Sequence, residues 1–153
     1  MKTECYRILL VEDNLADVLL IEETLRRRCI AYVVDHYLSA SSAIHAVKTA
    51  GADGGPVPDL MLLDYNIPGG QGRDILAAAR GNSHLAAVPC AIVSSCLGPQ
   101  ELKEVTRLGA TCVILKPSSF DEFLSQVGEA IEKLLRTADS EGSVAKKIAR
   151  SGV

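Results

Sequence analysis

Short apolar runs alternate with amphipathic stretches along most of the chain. Five β-strands are predicted at the runs YRILLVED (6–13), AYVVDHYL (31–38), LMLLD (60–64), VPCAIVSS (88–95) and TCVILK (111–116). Between the runs, apolar residues recur at helical spacing, as Val18, Ile21 and Leu25 do after the first run. This alternation of strand and helix predicts an α/β fold, a five-stranded parallel sheet with helices on both faces.

Several residues mark where the predicted helices begin. Asp13 or Asn14 is a candidate N-cap for the first helix. Pro99 stands at a plausible first helical position of the fourth helix. Ser119 and Glu122 have the spacing of a capping box at the start of the fifth. The fifth helix is predicted to turn its apolar residues inward, namely Phe120, Phe123, Val127, Ile131 and Leu134.

Length and composition indicate a single domain followed by a short tail. The chain has 153 residues, of which 48% are hydrophobic, and this is enough to form one core. We predict a domain at residues 1–136 and a C-terminal tail at 137–153, either flexible or involved in dimer contacts. The tail is small, polar and mildly basic, too short for an output domain.

Charge and targeting signals predict a cytoplasmic protein that binds neither nucleic acid nor membrane. The net charge is −3 and the pI is about 5.6, so no global basic field attracts polyanions. No signal peptide is recognised, and no stretch of about 18 apolar residues is present. The five cysteines form no CxxC pair, and we expect most of them to be buried in a reducing compartment.

Polar residues follow four of the five predicted strands. They are Glu12 and Asp13, then Asp64, then Ser94 and Ser95, and finally Lys116 followed by Pro117. Taken singly, each has a local explanation, such as a helix cap, a turn former, a small residue or a solvated lysine. In an open α/β sheet, however, ligands bind beyond the carboxyl ends of the strands. One shared site explains all four strand ends together, and we prefer that interpretation.

The side chains of this predicted site suit phosphoryl transfer. Three neighbouring carboxylates repel one another unless a cation compensates them, and their hard oxygens suit Mg²⁺. A metal beside Asp64 can also bind phosphoryl oxygens. Lys116 offers a positive charge and Ser94 a hydroxyl donor for the same group. Asp64, at the end of the most apolar strand, is therefore the predicted acceptor.

A phosphohydrolase is an alternative that the sequence makes less favourable. Phosphatases of the haloacid dehalogenase type also use an aspartate after a buried strand, but they place a second acid two residues later. That position is Asn66 here, which cannot serve as a general acid or base. The chain also lacks the GxxxxGK[ST] and GxGxxG motifs. A stable phospho-aspartate suits a signal better than a catalyst.

The chain resembles the receiver domains of bacterial two-component response regulators. The motifs that carry the resemblance are VEDN (11–14), LLDYNIP (62–68), IVSS (92–95) and KP (116–117), within residues 5–135. The resemblance implies strand order 2-1-3-4-5, as in flavodoxin-like folds, and Asp64 as phosphoacceptor. It implies Mg²⁺ held by Asp13, Asp64 and the Asn66 backbone carbonyl, with Glu12 acting through water. Ser94 and Lys116 would contact the phosphoryl group.

The same resemblance implies partners for a stand-alone regulator in a phosphorelay. The donor would be a phosphohistidine on a sensor histidine kinase, and the output would be a downstream protein rather than DNA. The segments EDNLADVLLIEETL and KPSSFDEFL resemble regulators that partner phytochrome-type kinases. A homodimer through helix four, strand five and helix five is also implied. A phosphorylation-independent scaffold remains an alternative.

One departure from the pattern of the family lies on strand five. Many receivers carry an aromatic residue on strand five, three residues before the lysine, and its rotation is coupled to the strand-four hydroxyl. Here that position is Val113. The signal is therefore expected to travel through the backbone and helix four instead.

Overall fold

The fold is organised around a five-stranded parallel sheet. The computed structural model describes residues 5–151, with side chains described for 5–139. The strands are β1 (Tyr6–Val11), β2 (Tyr32–Tyr37), β3 (Leu60–Asp64), β4 (Cys90–Ser94) and β5 (Cys112–Leu115). They are hydrogen-bonded in the order β2-β1-β3-β4-β5, and all neighbours are parallel. The predicted α/β fold and the order 2-1-3-4-5 are confirmed.

Five helices connect or follow the strands. Four of them are α1 (Leu15–Arg27), α2 (Ala40–Thr49), α3 (Gly72–Arg80) and α4 (Pro99–Leu108). The last, α5 (residues 120–151), begins as an α-helical turn at Phe120–Glu122, widens into a π-helical turn at Phe123–Val127 and continues as α-helix at Gly128–Ser151. Helix starts follow the predicted caps, since the Asn14 side chain accepts from Ala16 N–H and Ser119 Oγ accepts from Glu122 N–H.

The core consists of two layers, one on each face of the sheet. Successive residues of a strand point to opposite faces, so Leu60 and Leu62 of β3 pack against α1 and α5. Met61 and Leu63 pack against α2, α3 and α4 on the other face. All five residues of β3 are buried, as a central parallel strand requires. The buried strand thus delivers Asp64 to the carboxyl edge of the sheet.

Some expectations about individual residues are wrong. Phe120 is 49% exposed. It is the first residue of α5, whose buried residues begin at Phe123, and the Arg27 guanidinium lies 5.5 Å from its ring centre. Most cysteines are not buried, since Cys5, Cys29 and Cys96 are exposed. These three follow or precede regular elements, where few neighbours cover a side chain.

The segment predicted as a tail is largely helical in its backbone. Helix α5 runs across residue 137 to Ser151, so the helix does not end where the domain was expected to end. The boundary between a domain at 1–136 and a tail at 137–153 stays a prediction. Within the described part of the chain, no helix combines the length and the apolarity needed to cross a membrane.

Candidate functional site

The carboxyl ends of four strands bring the predicted polar residues to one edge of the sheet. Glu12 directly follows β1, Asp64 ends β3, Ser94 ends β4 and Lys116 directly follows β5. They line an open pocket of about 320 Å³, to which α1 also contributes. The full lining is Glu12, Asp13, Asn14, Asp17, Asp64, Asn66, Ser94, Ser95, Cys96 and Lys116.

Three acids form the centre of the pocket. Glu12, Asp13 and Asp64 each offer a carboxylate oxygen, and these oxygens lie within 4.8 Å of one another. Glu12 and Asp64 are 1% and 9% exposed, while Asp13 faces solvent. The cluster therefore has one open side, through which a ligand can approach Asp64.

Lys116 lies among the acids as a buried cation. Its Nζ is 2.6 Å from Glu12 Oε2, 2.8 Å from Asp17 Oδ2 and 3.6 Å from Asp64 Oδ2. The sequence reasoning missed Asp17, which belongs to the first turn of α1 rather than to a strand end. The signal was its place in the first turn of the helix that Asn14 caps, only a few residues after the strand end at Val11.

The pKa values of the pocket reflect burial and crowding of charge. Burial raises the pKa of Glu12 to about 7, although hydrogen bonds from Lys116 and Asn14 N–H work against that rise, and the charge of Asp64 adds to it. Burial acts to lower the pKa of Lys116, but its bonds with Asp17 and Glu12 and the charge of Asp64 raise it overall. Lys116 therefore stays charged near neutral pH.

This donor set fits a divalent cation. When fully ionised, Glu12, Asp13, Asp17 and Asp64 carry four negative charges against the single positive charge of Lys116. Hard divalent ions prefer oxygen ligands of this kind. Burial is the main cause of the raised pKa of Glu12, and the charge of Asp64 adds to it, since one ammonium does not compensate all four acids. A cation bound by Asp13 and Asp64 would supply that compensation.

Ser94 and its neighbours form the β4 side of the pocket. Ser94 is 1% exposed, and its Oγ donates to the Cys96 carbonyl at 2.8 Å and accepts from Cys96 N–H at 3.3 Å. Ser95 and Cys96 are exposed at the rim. The hydroxyl must leave the Cys96 carbonyl before it can donate to a bound group.

The remaining predicted site residues occupy different positions. Asn66 lines the pocket and pairs with Gln71 in a short antiparallel hairpin, an element that was not among the five predicted strands. Pro117 follows Lys116 and is half-buried, outside the pocket lining. Val113 lies on β5, where it packs against the core layer of α2, α3 and α4.

At Gly72 the start of α3 passes close to the backbone of Asp64 and Tyr65. Its N–H donates to the Tyr65 carbonyl at 2.7 Å. A Cβ added at Gly72 would lie 2.6 Å from the Asp64 carbonyl oxygen and 3.0 Å from Tyr65 Cα. Both neighbours are backbone atoms of the strand end that carries the candidate acceptor, so they cannot move aside without moving that strand end.

Replacing Gly72 with Ala will destabilise the fold by about 2–3 kcal/mol, the upper part of the usual cost of overpacking, because the added Cβ would meet backbone atoms. The matched control is Gly81→Ala at the other end of α3. Gly81 has φ −76°, and its added Cβ would meet nothing closer than 3.4 Å, so stability should be unchanged or slightly raised. Urea unfolding followed by circular dichroism measures both variants. Equal midpoints for the two would contradict the close approach at Gly72.

Comparison with known proteins identifies relatives for most of the chain. A family model described as "Response regulator receiver domain" matches residues 8–128. Response regulator Rcp1 of Synechocystis sp. is 27% identical over 121 residues, which cover 78% of this chain and 82% of that protein. The probable methanogenesis regulatory protein FilR2 of Methanothrix harundinacea is 25% identical over 125 residues, covering 82% and 81%.

Solved structures of similar proteins share the fold. The crystal structure of the phosphorylated cyanobacterial phytochrome response regulator RcpA superposes with a TM-score of 0.76 at 28% identity, covering 86% of this chain and 94% of that one. The Mn²⁺-bound form of response regulator Rcp1 superposes with a TM-score of 0.72 at 26% identity, covering 81% and 90%.

Proposed function

The chain belongs to the response regulator receiver domain family, and from this premise we propose that Asp64 is the residue that accepts a phosphoryl group. The chain is a phosphoacceptor response regulator of two-component signalling, as members of this family are. The observation that supports Asp64 is its position at the end of a fully buried strand, with two acids within 4.8 Å and Lys116 Nζ at 3.6 Å.

The proposed reaction transfers the phosphoryl group from a histidine to Asp64. A carboxylate oxygen of Asp64 attacks the phosphorus atom, the bond between phosphorus and the histidine nitrogen breaks, and an acyl phosphate forms. The electron pair of the broken bond stays on the departing imidazole. Lys116, which three acids hold in place, provides positive charge for a phosphoryl oxygen. Ser94 Oγ donates to another once it leaves the Cys96 carbonyl.

We propose Mg²⁺ as the cofactor. Asp13, Asp64 and the Asn66 backbone carbonyl would hold it, with Glu12 acting through water. When bound, the ion offsets the repulsion between the carboxylates and an incoming phosphoryl group. The proposal is supported by the grouping of the three carboxylates and by the Mn²⁺-bound form of Rcp1. Among divalent cations that bind oxygen ligands, Mg²⁺ usually keeps several of its waters, which suits a site with few protein ligands.

Receiver domains are phosphorylated by histidine kinases, and we propose that the donor here is a phytochrome-type kinase. The support is the similarity to RcpA, which is described as a cyanobacterial phytochrome response regulator. A radiolabelled phytochrome-type kinase should transfer its label to this chain faster than a histidine kinase of unrelated sensor type. Equal transfer rates from the two kinases would remove the support for this donor.

The test of the proposed function is the intact mass after incubation with acetyl phosphate, with Mg²⁺ and with a chelator. A single phosphate adduct that requires Mg²⁺ is expected. Borohydride reduction of the adduct, followed by peptide mapping, should place the modification in the peptide that contains Asp64. Steady multiple-turnover release of phosphate would instead indicate a phosphohydrolase. The absence of any adduct would favour a scaffold that does not depend on phosphorylation.

We also propose that phosphorylation acts on a protein-interaction face formed by α4, β5 and α5, through which the chain forms a homodimer. An apolar groove of about 690 Å³ lies between β5 and α5. Leu115 and Leu102 on this face are 58% and 44% exposed, and apolar side chains this exposed favour contact with a partner.

Replacing Leu115 with Asp should shift the protein towards monomer, because a carboxylate at the centre of an apolar interface loses its hydration on association. Light scattering at several protein concentrations, with and without acetyl phosphate, measures the change. The control is Leu19→Asp on α1, since Leu19 is 62% exposed and lies outside the proposed face. A wild type that is monomeric under both conditions would refute the dimer.

A further inference from the structure

Asp13 differs from the other acids of the pocket, because no described side chain or backbone group bonds to its carboxylate. The Glu12 carboxylate accepts from Asn14 N–H at 3.0 Å and from Lys116 Nζ at 2.6 Å. Asp64 is an ion-pair partner of Lys116. The Asp13 carboxylate is exposed and makes no hydrogen bond or ion pair with any residue whose side chain is described. The described contacts therefore restrict Asp13 only through its backbone.

That backbone is fixed by a side chain from β2. The paired register of β1 and β2 ends at Val11 and Tyr37, and one further ladder bond joins Glu12 N–H to the Tyr37 carbonyl at 3.1 Å. The carbonyl of Glu12, which belongs to the peptide unit joining Glu12 to Asp13, is 2.7 Å from Nε2 of His36. Because a carbonyl oxygen only accepts, Nε2 carries the proton in this contact.

We infer that His36 is a positioning residue for the divalent cation site, because its Nε2 fixes the peptide unit from which the Asp13 carboxylate extends. The inference rests on the proposed function. The bond limits rotation of this peptide about ψ of Glu12 and φ of Asp13, and these two angles set the direction of the Asp13 Cα–Cβ bond, from which the carboxylate extends. His36 itself lies outside the pocket lining, so it acts on the cation through the backbone.

The bond is not needed to hold β2 in the sheet. Six residue pairs join β1 to β2, and the ladder bond from Glu12 N–H remains when the imidazole is removed. The neighbouring carboxylate of Glu12 also keeps its partners. Loss of the imidazole is therefore expected to widen the range of directions of Asp13, while the fold and the position of Asp64 are retained.

Loss of the His36 imidazole should affect cation binding more than the phosphorylation of Asp64 once the cation is bound. Removing a group that orients a metal ligand without touching the metal typically weakens metal affinity by about 10- to 100-fold. Asp13 is exposed and can still be drawn into place by a bound ion, so the lower end, about tenfold, is expected. With the cation in excess, phosphorylation by acetyl phosphate should return to nearly the wild-type rate.

The experiment measures Mn²⁺ binding to the full chain without a phosphodonor. Free Mn²⁺ is followed by electron paramagnetic resonance, which gives the dissociation constant directly. His36→Gln keeps an amide N–H the same number of bonds from the backbone as Nε2, whereas the His36→Asn amide is one bond too short. The dissociation constant should rise about tenfold in His36→Ala and His36→Asn and stay within about twofold of wild type in His36→Gln. His45→Ala, at an exposed histidine of α2, should not change it.

Each outcome decides between the possibilities. Equal affinities for wild type, His36→Ala and His36→Asn would overturn the positioning role. An equal loss in His36→Gln and His36→Asn would also overturn it, because reach to the Glu12 carbonyl would then not matter. If His36→Ala does not fold, the Gln and Asn pair still gives the answer. A wild type that binds no Mn²⁺ would refute the cation site, and with it the cofactor in the proposed function, before any variant is considered.

Discussion

Replacing Asp64 with Asn will abolish the phosphate adduct formed with acetyl phosphate. The amide nitrogen and oxygen of Asn are poor nucleophiles, and an acyl phosphate cannot form without the second carboxylate oxygen. The change also removes one of the three charged ligands offered to the cation. Intact mass measures the result, and we expect no detectable adduct under conditions in which the wild type is modified.

The fold should survive this substitution. Asn has nearly the shape of Asp, and among the residues whose side chains are described Asp64 makes one ion pair, a contact of 3.6 Å with Lys116. Removing one negative charge from a crowded cluster also relieves repulsion, so the melting temperature should be equal or higher. Asp53→Asn is the matched control, since Asp53 lies in an exposed loop with φ 54°, where Asn is readily accommodated. A persistent adduct in Asp64→Asn would show that another residue is the acceptor.

The sequence was sufficient to predict the fold because its signals agree with one another. The run LMLLD is apolar at both faces, and it became a strand buried on both faces with the predicted bounds. Helix α4 begins at Pro99, as predicted, and ends at Leu108 before Gly109. The hairpin at residues 66–71 could not be predicted, because its two strands have two residues each and carry no periodicity.

The residues of the site were predicted from a rule of topology. Parallel strands end at one edge of the sheet, so residues far apart in sequence, such as Glu12, Asp64 and Lys116, were expected to meet. Asp17 was missed because it reaches the pocket from a helix. The contact of His36 with the Glu12 carbonyl could not be predicted, because it depends on the position of an edge strand and on a backbone atom. Contacts of this kind are fixed by packing rather than by sequence spacing.

Replacing Lys116 is also expected to have a large effect. Its ammonium is the positive charge that the pocket lining itself supplies to the acids. Replacing it with Met keeps a flexible side chain of similar length but leaves Glu12 and Asp17 without their bonds of 2.6 and 2.8 Å. The side chain of Lys116 is 8% exposed, and removing one partner of a buried ion pair typically costs about 3–5 kcal/mol. In the presence of a chelator at pH 8 we expect a loss of about 3 kcal/mol, at the lower end because Asp13 leaves one side open.

The loss should be smaller at pH 6 than at pH 8. The pKa of Glu12 is already raised to about 7 in the folded protein, above its ordinary value of 4.5. A group with a raised pKa adds stability at low pH and loses that contribution as the pH rises through the folded value. Without Lys116 the pKa of Glu12 will rise further, since the hydrogen bond and charge of Lys116 lower it. Below pH 7 the variant therefore carries a neutral Glu12 and less repulsion.

Mg²⁺ should restore much of the lost stability, and this distinguishes a counter-charge from simple packing. A ligand at about 100 times its dissociation constant stabilises the folded state by about 2.7 kcal/mol. The shift of melting temperature on adding Mg²⁺ should be larger in Lys116→Met than in wild type, because the variant has one positive charge fewer among its acids. Lys103→Met, at an exposed lysine of α4, should behave as wild type. If Mg²⁺ shifts Lys116→Met and wild type equally, the ammonium and the cation do not compensate the same carboxylates, and Lys116 stabilises the fold through packing alone.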